Sequence, residues 1–286
     1  MKNIIVTGGN GQLGSSINSI EAEFGKGNKY IYLTAEELDV TSVDSIETAV
    51  ANHKPSYIVN CAAYTAVDKA ETEKDLAYAI NATAAGNLAK VSKANSIKLI
   101  HVSTDFVFGE TEPLPLTEDM QAVPTGVYGA TKLEGEKMII QNMDDYFILR
   151  TSWLYSEFQH NFLKTMIRLG NERDELSVVY DQVGTPTYAV DLAGLIMHII
   201  NTDSSAYGVY HYSNEGVASW YDFAYEIFKQ NNIQINLKPI TSDKFPTPAK
   251  RPNYSVMSKD KAKDAFGITI NHWTQSLANC IKKLNS

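Results

Sequence analysis

The chain is expected to fold as an α/β protein, with a doubly wound parallel sheet and a smaller mixed lobe. Three observations carry this expectation. Short apolar, β-branched runs alternate with amphipathic stretches through the first half of the chain. A glycine-rich segment follows the first of those runs directly. Apolar residues make up 44% of the 286 positions and charged residues 20%, the balance of a globular chain that buries a core and not of a disordered or fibrous one.

The strands and helices follow in order. Ile4-Ile5-Val6 is the first strand, and Gln12 to Phe24 the amphipathic helix after it. Tyr30 to Leu33 reads as a strand, Val43 to Ala51 as a helix, and Tyr57-Ile58-Val59 as the third strand. A helix is predicted over Lys74 to Ala94, then a strand at Leu99 to Val102, a helix around Lys132 to Gln141 and a strand at Phe147 to Leu149. Strands separated by helices imply crossover connections and a sheet covered on both faces. After Arg150 the rhythm weakens. Asn161 to Leu169 and Val190 to Ile200 look helical, Ser177 to Tyr180 extended, and the stretch from Tyr207 to Arg251 is richer in polar residues, Pro and Tyr. The expected division is a dinucleotide-binding unit over 1–151 and a substrate lobe over 152–286, with 177–212 open to returning to the main sheet.

Composition also excludes partners. Lys plus Arg number 25 against 33 Asp plus Glu, a net charge of −8, where nucleic-acid binding needs concentrated basic surface. No run approaches the ~18 apolar residues of a membrane span, and the start MKNIIVTGGNG lacks a signal-peptide core. Two cysteines, Cys61 and Cys280, make no disulfide framework. The expectation is a soluble, cytoplasmic protein with no nucleic-acid or membrane partner.

Val6 to Gly14 reads V-T-G-G-N-G-Q-L-G between strand and helix. Gly8 suits the tight turn, Gly11 a backbone approach to a pyrophosphate, and Gly14 close packing of helix on strand. The helix N-terminus adds N–H donors and its dipole. Gly8, Asn10, Gly11, Gln12, Leu13 and Gly14 are therefore candidates for holding a dinucleotide. An acidic residue at the end of the second strand would select NAD through the ribose. Here Thr34 is neutral, Glu36 and Glu37 lie just beyond, and no Arg stands nearby for a 2′-phosphate. NADPH is expected to be used and NADH accepted.

Tyr128 precedes Lys132 by four positions, one helical turn on one face. A phenol with a pKa near ~10 is a poor acid or base at neutral pH until a neighbouring ammonium stabilises its phenolate. Lys132 is expected to do this and to contact the nicotinamide ribose, while Tyr128 exchanges a proton with a carbonyl or alcohol oxygen. Ser103-Thr104-Asp105 ends the fourth strand, at the carboxyl edge where open α/β sheets bind ligands. Thr104 there is either a hydroxyl donor to the substrate oxygen or a plain strand-to-loop cap.

With these elements in place the chain resembles the extended short-chain dehydrogenase/reductases, and Thr104, Tyr128 and Lys132 match that superfamily's catalytic triad. Asn60-Cys61-Ala62-Ala63 resembles the segment that lies along its cofactor, which implies Ala62, Ala63 and Thr65 as further contacts. Asp39-Val40 looks like the superfamily's adenine site, or equally a capping turn before Thr41. The resemblance narrows to the dTDP-4-dehydrorhamnose reductase family. It rests on Tyr64 to Glu71, Ser103 to Phe108, Arg150 to Tyr155, Asn161 to Met166, Asp181 to Thr187 and Pro246 to Pro252. That family reduces the 4-keto group of a dTDP-6-deoxy-L-hexulose to give dTDP-L-rhamnose, so the resemblance implies a nucleotide-sugar substrate and rhamnose-polysaccharide biosynthesis. Phe106, where related dehydratases carry a Glu after Thr-Asp, cannot move a proton, and this disfavours dehydration.

Candidate substrate contacts are Val67, Asp68, Thr104, Asp105, Tyr128, Trp153 and Arg251. For Asp68 the alternative is a helix N-cap, for Trp153 core packing, and for Arg251 a surface arginine. Some family members bind Mg²⁺ through paired glutamates at a dimer interface. Here Ser15 and Val190 stand in those stretches and Asp191 is the lone carboxylate, so no metal is expected and the assembly is expected to be a monomer or weak homodimer. The six histidines show no metal-ligand spacing and are read as structural. The alternatives to this reductase are another nucleotide-sugar reductase or epimerase of the superfamily, and a non-catalytic regulatory binding subunit.

Overall fold

Six strands lie parallel in one sheet: β1 (Asn3–Thr7), β2 (Lys29–Leu33), β3 (Tyr57–Asn60), β4 (Lys98–Thr104), β5 (Tyr146–Thr151) and β6 (Gly208–His211). Their order is β6-β5-β4-β3-β1-β2, which reverses direction between β1 and β3, the place where such sheets bind ligands. This computed structural model describes residues 1–110 and 112–285.

The strands are apolar almost throughout because both faces are buried. Successive side chains alternate between two cores, as the two-residue period of a strand requires. Ile4, Val6, Tyr57, Val59, Ile100, Phe147 and Leu149 point into one, and Ile5, Ile58, Leu99 and Ile148 into the other. Each fully buried aliphatic side chain contributes about 1.5–3 kcal/mol.

The first core is covered by helices α1 (Gln12–Phe24) and α6 (Ala189–Thr202). The second is covered by α2 (Val43–His53), α3 (Ala84–Ala94) and α4 (Val127–Asn142). The predicted helix over 74–94 is interrupted. A π-helical turn at Ala79–Thr83 links Lys74–Tyr78 to α3, and no hydrophobic period announces such a turn.

Beyond β5 lies a third core of Tyr155, Leu163, Met166, Phe223, Ile227, Phe228, Trp273 and Leu277. It is built from α5 (Phe162–Glu172), α7 (Trp220–Gln230) and α8 (Trp273–Leu284). Asn161 caps α5, and Ser219 with Asp222 forms a capping box on α7. Of the 177–212 stretch, Gly208–His211 joins the main sheet beside β5. Glu175–Val179 pairs instead with Asn236–Ile240 in a separate parallel pair. Among the described residues no helix is long and apolar enough to cross a membrane.

Candidate active site

The turn after β1 is formed by glycines for steric reasons. Gly8 has φ +61, a conformation that side chains bearing a Cβ rarely adopt. A Cβ on Gly14 would lie 2.6 Å from the carbonyl oxygens of both Gly8 and Gly9. Gly11 is the N-cap of α1 without any side-chain cap, and no acidic residue occupies the first turn. The first N–H groups of this helix are thus free to meet an anion. A diphosphate fits this cradle.

One cavity of ≈ 610 Å³ runs from that loop along the carboxyl edge of the sheet. It is lined by Gly11, Gln12, Leu13, Ala63, Thr65, Val67, Thr104, Asp105, Tyr128, Lys132, Trp153 and Arg251. Twelve of the residues singled out in the sequence therefore meet in one place. Gln12 meets the cavity while its side chain bridges to the lobe, donating to Leu154 O (3.1 Å) and accepting from Asn161 Nδ2 (2.8 Å). Exposed Asn10 accepts from Gln159 Nε2 through its carbonyl (2.6 Å). Ala62 donates its N–H to Thr7 Oγ1 (3.2 Å).

Tyr128 and Lys132 sit in the first two turns of α4. Its N-cap, Gly126, has no side chain to offer, and Glu71 Oε1 instead accepts from Val127 N at 2.8 Å. Gly129 lets the helix press onto the loop after β4, for a Cβ there would lie 2.1 Å from Phe106 O. The Tyr128 ring meets Phe106 edge-on at 5.5 Å.

The electrostatics depart from the expectation. Burial pushes the Tyr128 phenol up to about 12; the Thr104 hydroxyl opposes this and the charge of Asp105 reinforces it. The phenol is raised, not lowered. The Lys132 side chain is buried, its amine donating to Val102 O at 2.7 Å and lying 3.2 Å from His101 Nε2. Burial lowers this amine to about 8, against the opposing charges of Glu136 and Cys61. At neutral pH Tyr128 keeps its proton, the form a donor needs.

Asp105 is 2% exposed, and its Oδ1 accepts from Thr104 Oγ1 at 3.1 Å. Burial raises its carboxyl to about 6, opposed by the hydroxyls of Ser255 and Thr104. An unfolded Asp titrates near ~3.9, so the folded protein holds this proton longer. The stability the proton confers is present at low pH and is lost as pH rises through about 6. Asp105→Asn should therefore stabilise the protein at pH 7 by up to about 2–3 kcal/mol, with the gain vanishing near pH 4. Urea unfolding at several pH values checks this, and a gain that does not change with pH would contradict it.

Several of the expected contact residues also have partners within the chain. Asp39 accepts from both Thr41 N (2.9 Å) and Thr41 Oγ1 (2.6 Å) and so forms a capping turn, and Val40 is buried in the second core. Asp68 and Arg251 hold each other through two bonds of 2.9 and 3.1 Å, joining the loop after β3 to the lobe. Trp153, at φ +47, stacks on Trp220 with ring centres 3.6 Å apart, both at the cavity wall.

A family model described as RmlD substrate binding domain matches residues 1–286. The chain belongs to this family. The chain is 38% identical to the dTDP-4-dehydrorhamnose reductase of Aggregatibacter actinomycetemcomitans, over 98% of both chains. The crystal structure of the Clostridium acetobutylicum dTDP-4-dehydrorhamnose reductase is similar at a TM-score of 0.95 and 42% identity, covering 99% of this chain and 100% of that one. The Bacillus anthracis dTDP-4-dehydrorhamnose reductase, solved in complex with NADP, matches at a TM-score of 0.94 and 40% identity, over 99% of each.

In this member of the RmlD family, four features of the site had no clear sign in the sequence. His101, read as structural, is in hydrogen-bond reach of Lys132. Glu136, one turn beyond Lys132, is 1% exposed and takes Arg150 Nη2 at 2.6 Å and Ser103 Oγ at 2.5 Å. Asn81, in the π turn, binds Tyr64 N and O and Thr131 Oγ1, fixing the loop after β3 to α4. Trp220 completes the aromatic wall. An isolated polar residue in an apolar run, such as His101 between Ile100 and Val102, was the one available signal. Cys61 lines the cavity, and burial pushes its thiol up to about 12. Asp191, the lone carboxylate of the doubtful Mg²⁺ stretch, accepts from Asn214 Nδ2 and Ser276 Oγ. Among the described residues no group of three His, Cys, Asp or Glu is arranged for a metal ion.

Proposed function

We propose that this protein is an NAD(P)H-dependent reductase that converts the 4-keto group of dTDP-4-dehydro-L-rhamnose to the alcohol of dTDP-L-rhamnose. The observation that carries this reading is the meeting of Thr104, Tyr128 and Lys132 in one cavity with the glycine turn. The substrate comes from the dTDP-4-dehydrorhamnose reductases that the chain resembles along its whole length. The cofactor comes from the NADP complex of one of them.

Gly8, Gly11 and Gly14, with the N–H groups of α1, would hold the cofactor diphosphate, and Ala62, Ala63 and Thr65 its nicotinamide half. The bound cofactor supplies hydride to C4. Tyr128 then gives its proton to the carbonyl oxygen as that oxygen gains charge, and the raised phenol keeps the proton in place until then. Thr104 donates to the same oxygen and aligns it. Lys132 fixes the ribose and the tyrosine. Val67, Asp105 and Trp153 border the sugar, and Arg251 would turn from Asp68 to the substrate diphosphate. An intact proton donor and lysine separate this reading from a regulatory binding subunit. The setting proposed is cytoplasmic, as a monomer or weak homodimer.

Cofactor oxidation with dTDP-4-dehydro-L-rhamnose, beside the UDP and GDP analogues, tests the reading. Turnover of the dTDP sugar is expected with NADPH, with NADH tolerated. Glu37 is folded back onto Thr34 N at 2.9 Å, and no arginine stands close in sequence. A preference for NADH beyond about 100-fold, ~2.7 kcal/mol, would mean that Glu37 leaves Thr34 for the ribose. Absence of turnover with any of the three sugars would overturn the reading.

A further inference from the structure

A line of buried polar groups crosses the sheet under the site, perpendicular to the strands. Thr7 ends β1, Asn60 ends β3, His101 lies in β4, and all three are 2% exposed or less. The direction of each hydrogen bond along this line follows from its fixed end. Ala62 N–H donates to Thr7 Oγ1 (3.2 Å), so the hydroxyl is left to donate its own proton, and Asn60 Oδ1 receives it at 2.6 Å. The amide then presents Nδ2–H to His101 Nδ1 at 2.9 Å. A neutral imidazole that accepts at Nδ1 carries its proton on Nε2. That nitrogen lies 3.2 Å from Lys132 Nζ. Turning the amide round would leave the Thr7 hydroxyl proton with no acceptor in a buried site, at a cost of about 1–3 kcal/mol.

We propose that His101 is the positioning residue of Lys132: the Thr7–Asn60 pair fixes its Nε2–H tautomer, that N–H faces the lysine nitrogen as a donor, and the line thereby favours the amine over the ammonium. An ammonium there would set donor against donor, whereas an amine accepts from Nε2–H and still donates to Val102 O. The surroundings act in the same direction. Burial lowers the lysine, and burial holds His101 well below its usual value, so the ring is neutral. The other groups facing Lys132 are Cys61 from the end of β3 and Glu136 on α4 itself, which both favour its charge. Glu136 is already matched by Arg150 from β5, and Tyr128 keeps its proton.

The proposal rests on the role given to Lys132 above, but its test needs no turnover, so the two can fail separately. In nucleotide-free wild-type protein, ¹⁵N-histidine NMR should find His101 neutral with its proton on Nε2. ¹³Cε-lysine NMR should find Lys132 titrating below the ordinary lysine value. Thr7→Val is isosteric and uncharged, and it frees the Asn60 amide to turn. It should move the His101 proton to Nδ1 and raise the Lys132 midpoint by about one pH unit or more. A wild-type His101 protonated on Nδ1 would overturn the proposal, and so would a Lys132 titration that Thr7→Val and His101→Asn both leave unmoved. The wild-type measurement stands even where a variant fails to fold.

Discussion

Tyr128→Phe should lower kcat by about 10²–10⁴-fold or more, the usual contribution of a positioned general acid. The loss should fall on kcat, since the phenyl ring keeps its edge-on contact with Phe106 and the cradle around Gly8 and Gly14 is untouched. Lys132→Met should cost at least as much, because it would remove the cofactor contact proposed for this lysine and the buried amine one helical turn from Tyr128. Thr104→Val should be milder, since it deletes a single donor. Steady-state kinetics at saturating NADPH checks the series. Near-normal turnover in Tyr128→Phe would move the proton-donor role to another group, and Asp105, raised to about 6, is the next acid in the cavity.

Arg150→Met should destabilise the fold by about 3–5 kcal/mol, because it leaves the Glu136 carboxylate, 1% exposed, without its partner. Glu136 accepts both nitrogens of a guanidinium fork and the Ser103 hydroxyl, an arrangement that a lysine would not reproduce. The Arg150→Met/Glu136→Gln pair should recover much of the loss, since no uncompensated charge then remains. Guanidinium unfolding of the single and double variants measures this. A single-variant cost under about 1 kcal/mol would mean that water reaches the carboxylate.

The parts of this protein that were legible in its sequence are those encoded locally. The strand–turn–helix around Gly8 to Gly14 and the Tyr128–Lys132 spacing each occupy a few consecutive residues, and their geometry follows from the period of one element. The alternating apolar runs pointed to five strands of the sheet, whereas the joining of Gly208–His211 was left open within 177–212, because four residues carry little periodicity. What stayed hidden depends on distant pairing. Asp68 meets Arg251 across 183 positions, and His101 meets Asn60 and Lys132 only because β3, β4 and α4 are neighbours in space. The direction of the Tyr128 shift was misjudged for the same reason. Charge proximity could be inferred from the helical spacing, but the burial that raises the phenol follows from tertiary packing, which no local pattern announces.

The most direct measurement follows the hydride itself. With NADPH deuterated at the transferable position of the nicotinamide and dTDP-4-dehydro-L-rhamnose, one deuteron should appear at C4 of dTDP-L-rhamnose for each cofactor oxidised, as read by NMR of the product. An unchanged sugar, or a product without deuterium at C4, would contradict a reductase built on Thr104, Tyr128 and Lys132.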